Sequence, residues 1–335
     1  MLNVAVIGLG WWGRIIVPLI KTSDKLRVVR VADPAPAAAP FAADHALPLG
    51  SFDEALHDPQ VQGVVLCTPH TQHTEQIVRA ANAGKHVFCE KPLAMSRVDV
   101  LKSVAACNAK GVKLAVGHEK RFEPPIMELL RLVKAGELGT PLQVEANFLQ
   151  DKFLSLPADN WRLSAKEAPA GPMTATGIHL LDLSVAVFGA AERVFASVRQ
   201  LGSQLVNGDT LGILVNFRAG GNALLGAVLA TPFDGRFAVY GNKGWAEVRD
   251  KAHPESPQGW TLTVQRRGQE KQAREFAPAK AVLANLEAFA QAAGGGAPYP
   301  VPQSEMIANV SALEAILRSA QTGRRTRGEL MQVRK

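Results

Sequence analysis

The chain has 335 residues, 47% hydrophobic and 20% charged, ordinary proportions for a globular protein and enough length for two domains with sizeable cores. No apolar run reaches the roughly 18–20 residues of a membrane span, and three cysteines (Cys67, Cys89, Cys107) are too few and too unpatterned for a disulfide framework or a zinc site. The net charge of +7 comes from dispersed basic residues, with no helix carrying a basic stripe and interleaved aromatics, which argues against nucleic acid as a partner.

The first strand starts with the chain itself, so no signal peptide is expected, and a reduced, cytoplasmic setting fits the cysteine usage, with no membrane and no metal called for. Val4-Ala5-Val6-Ile7 reads as a strand buried on both faces of a parallel sheet. It runs into Gly8-Leu9-Gly10-Trp11-Trp12-Gly13, a G-x-G-x-x-G, and then into helical spacing at Ile15, Ile16, Leu19 and Ile20. A second apolar strand, Leu26 to Ala32, ends at Asp33, twenty residues after Gly13. Strand, glycines, helix and acid at that spacing form a dinucleotide fingerprint. Gly8 serves the tight turn, Gly10 the approach of a pyrophosphate and Gly13 the packing of helix on strand. Asp33 would accept bonds from the adenosine ribose and repel a 2′-phosphate, favouring NAD over NADP, although an arginine close by can reverse that choice.

Further along, Ala- and Pro-rich residues 34–43 give a loop and a short helix, and Ser51 with Glu54 forms a capping box. Buried strands are expected at Val61 to Cys67, His86 to Cys89 and Lys113 to Val116, with helices at Glu75 to Ala83 and Arg97 to Lys110 between them. Alternating strands and helices to about residue 120 predict a doubly wound parallel sheet, so the class is α/β, with residues 1–120 as an NAD(P)-binding Rossmann domain. Residues 121–335 read differently. A helix over 125–134 and an alternating strand over 142–149 precede a helix over 180–188. Strand-like runs then follow at 194–198, 210–217, 223–229, 236–240, 245–248 and 260–266, separated by turn signals such as Asn207-Gly208 and Gly220-Gly221-Asn222. They predict an α+β domain with a large, mostly antiparallel open sheet. Two helices, over 278–292 and 304–322, end the chain around a Gly294-Gly295-Gly296 linker.

Polar residues stand at three strand ends of the first domain, where open α/β sheets bind ligands: Asp33, then Thr68-Pro69-His70 with His73, then Glu90-Lys91-Pro92. Taken with Gly117-His118-Glu119-Lys120-Arg121-Phe122, Gly177-Ile178-His179-Leu180-Leu181-Asp182 and Tyr240-Gly241-Asn242-Lys243-Gly244, these pieces run across almost the whole chain. In that order they resemble the Gfo/Idh/MocA oxidoreductases, the family of glucose–fructose oxidoreductase and inositol dehydrogenase. The resemblance implies that Lys91 lies near the nicotinamide and the reacting carbon, with Pro92 fixing the turn that points it there. A base is needed for the hydroxyl proton when an alcohol is oxidised, and a lysine beside a cationic ring in a dry cleft has its ammonium form disfavoured by both surroundings. By the same resemblance His179 binds the substrate hydroxyl or shares a proton relay, and Asp182 orients it or caps the helix. Gly8, Gly10, Trp11, Trp12, Gly13, Asp33, Thr68, Pro69, His70, His73, Glu90 and Lys91 are then expected at the cofactor, one of the tryptophans covering it. His118, Arg121, Trp161, Arg162, His179 and Asp182 are expected at the substrate, Arg162 as a carboxylate clamp or else a surface ion pair.

One position departs from the family pattern. Ala175 stands where many active members carry an Asp four residues before the histidine. Either Lys91 and His179 suffice, or His118 or Asp159 supplies the missing group, or the reaction is not ordinary alcohol oxidation. The expected function is therefore an NAD(H)-dependent dehydrogenase or reductase acting on a small hydroxylated molecule: a sugar, sugar acid, polyol or cyclic diol. The alternatives are an NAD(H)-binding regulator and a redox-neutral enzyme that uses NAD transiently. The resemblance also implies a homodimer or homotetramer, with the open sheet face covered by a second subunit and the last helix packed back on the Rossmann domain.

Overall fold

The short β-branched runs of the first third do become strands. In the computed structural model, which describes residues 1–328, they are β1 (Leu2–Ile7), β2 (Leu26–Ala32), β3 (Leu49–Gly50), β4 (Gly63–Leu66), β5 (His86–Cys89) and β6 (Leu114–Val116). All pair in parallel in the order β3-β2-β1-β4-β5-β6. Parallel strands need crossovers, and these are α1 (Trp11–Ile20), α2 (Ala38–Asp44), α3 (Phe52–His57), α4 (His73–Asn82) and α5 (Arg97–Ala109). The core of this unit is the apolar set the strands predict, with Val4, Val6, Ile16, Ile20, Val31, Val65 and Phe88 at or below 1% exposure. The capping box forms as read: Ser51 Oγ accepts from the Glu54 amide at 3.2 Å, and the Ser51 amide donates to Glu54 Oε2 at 2.6 Å.

A second unit begins at Lys120. Its helices α6 (Pro124–Lys134) and α7 (Ile178–Phe188) pack on one side of a nine-stranded sheet. The strands are β7 (Pro141–Leu149), β8 (Ala191–Arg199), β9 (Thr210–Phe217), β10 (Asn222–Val228), β11 (Asp234–Gly241), β12 (Gly244–Asp250), β13 (Trp260–Arg266), β14 (Gln272–Phe276) and β15 (Thr326–Arg327). Their order is β14-β13-β12-β11-β7-β10-β9-β8-β15, antiparallel throughout except for the parallel pair β7–β10. Strict alternation puts Val144, Ala146 and Phe148 of β7 on the buried side, while Glu145 and Asn147 face the other way. β3, β14 and β15 lie outside the sequence expectation: β3 and β15 are two residues each, and Gln272-Ala273-Arg274-Glu275 is an exposed edge with no apolar alternation to read.

The chain returns to the first unit late. Residues Val282–Met306 belong there, while the described residues from Ile307 to 328 belong to the second unit. The returning element is thus α8 (Ala281–Ala293) with the first turn of α9 (Gln303–Thr322). The reason is local. Leu286, Phe289 and Ala290 of α8 join the Rossmann core, Phe289 meets Phe88 with ring centroids 5.9 Å apart, and Asn285 Nδ2 donates to the Val116 carbonyl at 3.0 Å, covering the edge strand β6.

Candidate active site

The glycine loop joins β1 to α1. Gly8 has φ +93°, a conformation that L side chains rarely adopt, and a Cβ at Gly13 would overlap the Gly8 carbonyl. Gly10 differs: nothing stands within 4 Å of where its Cβ would lie, so the backbone at the start of α1 is open to an approaching group. That cradle, at the N-terminus of a helix, suits a pyrophosphate. Asp33 closes the loop from the end of β2, one oxygen accepting from the Leu9 amide at 2.6 Å and the other from Ala35 at 2.8 Å. Arg14 is anchored nearby, Nε on the Leu9 carbonyl at 2.9 Å, Nη2 on the Ala37 carbonyl at 2.5 Å, and its guanidinium 5.0 Å from the Phe41 ring centre. Trp11 is 44% exposed, and Trp12 meets it edge-on at 5.9 Å.

The neighbouring strand ends gather the next group. After β4, Thr68 Oγ1 donates to Gln76 Oε1 at 2.6 Å, and His70 lies edge-on to His73 at 5.9 Å. After β5 come Glu90 and the cis peptide Lys91–Pro92. Glu90 is buried, its carboxylate lying over Gly117, where a Cβ would come within 2.6 Å of either oxygen. Burial, then the Glu119 carboxylate, pushes the Glu90 carboxyl up to about 7, against the pull of Trp12 and Lys91. His73, expected against the cofactor, is instead completely buried. Its Nδ1 lies 2.8 Å from the Pro92 carbonyl and its Nε2 3.0 Å from the Thr68 carbonyl, and burial lowers its pKa. Of the three cysteines, Cys89 and Cys107 are buried core residues whose thiols burial pushes up, that of Cys107 to about 12.

In the second unit two expected substrate residues hold each other. Arg121 Nε and Nη2 donate to the two Asp182 carboxylate oxygens at 2.6 and 2.7 Å, both side chains under 10% exposed. This bidentate buried pair ties the segment before α6 to α7. Lys120 is a second bolt, its ammonium between Glu123 and Asp250 at 3.2 and 3.1 Å. Burial opposes that charge, and the two carboxylates outweigh it and raise the Lys120 pKa. His179 is buried on the first turn of α7. Arg162 stacks on Trp161 with 4.4 Å from guanidinium to ring centre. Their loop is held by a residue read in the sequence only as a turn signal: Asn207 Nδ2 donates to the carbonyls of Arg162 and Ala168, each at 2.8 Å, and the Gly171 amide donates to the Asn207 backbone carbonyl at 2.7 Å. Residues 173–177 form a π-helix, on which Ala175 packs against Phe153, Leu205 and Leu229 with Leu156 and Leu163. His118 is buried in the first unit, and Asp159 is exposed in the second.

Residues 2–118 match the oxidoreductase family with an NAD-binding Rossmann fold, and residues 126–247 match the GFO/IDH/MocA C-terminal domain. The chain belongs to the Gfo/Idh/MocA oxidoreductase family. D-xylose 1-dehydrogenase (NADP(+)) 2 of Haloferax volcanii is 27% identical to this member over 276 residues, 82% of each chain. 1,5-Anhydro-D-fructose reductase of Ensifer adhaerens is 28% identical over 277 residues, 82% of this chain and 81% of the other. The crystal structure of aldose-aldose oxidoreductase from Caulobacter crescentus, complexed with glycerol, superposes with TM-score 0.85 at 27% identity, covering 97% of this chain and 99% of that one. The protein is accordingly an NAD-binding oxidoreductase, a dehydrogenase or reductase.

Within this Gfo/Idh/MocA member the first unit holds Gly8, Gly10, Trp11, Trp12, Gly13, Asp33, Thr68, Pro69, His70, Glu90, Lys91 and the buried His73. Gly10 and Asp33 fit the cofactor on observation: the first leaves room for the phosphates, the second lines up at the carboxyl end of β2. Among the described residues, no group of three or more His, Cys, Asp or Glu side chains is placed to hold a metal ion. No described helix is long and apolar enough to cross a membrane.

Proposed function

We propose that the protein transfers a hydride between NAD(H) and a CH–OH carbon of a sugar, sugar acid, polyol or cyclic diol, with Lys91 as general acid/base. The observation that carries this reading is Lys91 at the carboxyl end of β5, on the same edge of one sheet as the open Gly10 cradle and Asp33. The names of the relatives, a xylose dehydrogenase and an anhydrofructose reductase, support the substrate class. The nicotinamide, when bound, accepts or gives the hydride. Lys91 Nζ takes the hydroxyl proton in oxidation and returns it in reduction, a contribution of order 10²–10⁴ in rate. His179 binds a substrate hydroxyl, and the Trp161–Arg162 pair offers a flat cation to a carboxylated substrate. Asp33 takes the ribose hydroxyls and disfavours a 2′-phosphate.

Ala175 favours one second reading. It puts an apolar residue, packed on Phe153, Leu205 and Leu229, where many family members carry an acid, so the reading is a protein that holds NAD(H) without net oxidation, either as a regulator or in a redox-neutral reaction. A screen of sugars, sugar acids, polyols and cyclic diols with NAD⁺ and NADP⁺, followed at 340 nm, separates the two. Turnover with NAD⁺ that disappears in Lys91→Ala supports the dehydrogenase. NADH binding without turnover on any compound supports the second reading.

We also propose self-association through the sheet face opposite α6 and α7. Phe195, Leu214 and Leu224 are in register across β8, β9 and β10 on that face, with Phe195 41% and Leu224 45% exposed.

A further inference from the structure

We propose that His73 is a positioning residue for Lys91, acting through the Pro92 carbonyl. The inference rests on the acid/base reading of Lys91 and explains what holds that lysine's turn in place. β4 and β5 pair in register up to Leu66 and Cys89, and Glu90 N–H to the Leu66 carbonyl, at 2.9 Å, closes that ladder. Beyond it the chain must turn twice, at Thr68-Pro69 and at Lys91-Pro92. The His73 ring, on the first turn of α4, sits between these two turns with one nitrogen 3.0 Å from the Thr68 carbonyl and the other 2.8 Å from the Pro92 carbonyl.

At 0% exposure the ring reaches neither cofactor nor substrate, so any effect on chemistry passes through the backbone it holds. On the far side of the same turn, Glu90 rests on Gly117 and accepts from the Lys91 amide at 3.3 Å. The backbone that carries Lys91 is thus gripped by a ring on one side and a carboxylate on the other. Displacing such a group by an ångström costs on the order of 10²-fold in rate while leaving ground-state binding in place.

The test compares His73→Ala, His73→Gln and Lys91→Ala in the full chain. NADH affinity is read from tryptophan fluorescence, and kcat and KM from the best substrate of the screen. The Lys91 amine is followed by NMR after reductive ¹³C-methylation, its signal assigned with Lys91→Arg. Positioning predicts that His73→Ala lowers kcat about 10- to 100-fold, leaves NADH affinity and KM within about twofold, and moves or broadens the Lys91 signal. His73→Gln, whose single amide nitrogen can donate to one of the two carbonyls, recovers part of the rate and of the signal. Unchanged kcat with an unmoved Lys91 signal overturns the proposal, and so does a parallel loss of kcat and NADH affinity in both variants, which marks a fold defect. If His73→Ala does not fold, His73→Gln against His73→Leu decides on the same readouts. Turnover that survives in Lys91→Ala overturns the acid/base reading itself and is thereby told apart from a failure of the His73 proposal.

Discussion

Glu90 and Lys91 are adjacent in the chain and opposite in what the fold does with them. Glu90 is sealed over Gly117, and its carboxyl titrates near 7 because burial, then Glu119, disfavours the anion. A carboxyl whose folded pKa lies above the unfolded value of about 4.5 costs no stability at low pH. It costs progressively more as pH rises from there through 7, up to about 3 kcal/mol. Urea unfolding of the cofactor-free protein at a series of pH values should therefore show stability falling between pH 4.5 and 7. Glu90→Gln should flatten that fall and leave the variant the more stable one at pH 8. An equal fall in wild type and variant would place the titration elsewhere. Glycine 117 itself was legible only as part of a motif. Its role, making room for a carboxylate, depends on two strand ends meeting, which no spacing along the chain reports.

At the scale of elements, the crossovers and strands of the first unit were legible because each carries its own punctuation: β-branched runs, the Ser51–Glu54 box and the glycine stops. The π-helix at 173–177 was not. Nothing in Met-Thr-Ala-Thr-Gly distinguishes five residues per bond from four, and within the segment Ala175 packs against Phe153, Leu205 and Leu229. That packing also accounts for Ala175. Ala175→Asp sets a carboxylate against the Phe153–Leu205–Leu229 cluster and should destabilise the protein by about 1–3 kcal/mol without raising turnover. Thermal unfolding and the 340 nm assay together check this, and a gain in kcat at unchanged stability would mean that the missing acid was the only defect. Arg121 and Asp182 teach the complementary lesson. Expected at the substrate because they sit in motifs, they also neutralise each other, a pairing invisible across 61 residues of sequence.

At the scale of the whole molecule, the nine-stranded sheet presents two kinds of surface on its open face. One cross-strand row runs Phe195, Leu214, Leu224, Glu145, Ala238, Glu247, Thr263, apolar over β8–β10 and charged beyond. The charged half is internally neutralised, with Arg236 held by Glu247 at 2.5 Å and Glu145 at 3.3 Å. The apolar half has no such partner row and is the part that self-association would cover. Sedimentation should give a dimer or tetramer for wild type and a monomer for Leu224→Lys with its NADH affinity intact. An unchanged mass in that variant would remove this face as the contact. The alternation that exposes these residues was legible in sequence, but the register that lines them up came only with the strand pairing, including the parallel β7–β10 junction that an all-hairpin reading omits.

The proposed reaction is hydride transfer between NAD and a hydroxyl-bearing carbon with Lys91 as the proton acceptor. It is tested most directly by giving the enzyme NAD⁺ and its best substrate deuterated at the reacting carbon, then reading the nicotinamide C4 position by proton NMR. Deuterium is expected on the reduced nicotinamide in wild type, and in Lys91→Ala a transfer rate about 10²–10⁴ lower with NADH still bound. Product formed with no label accumulating on the nicotinamide, or the same transfer rate in Lys91→Ala, would contradict it.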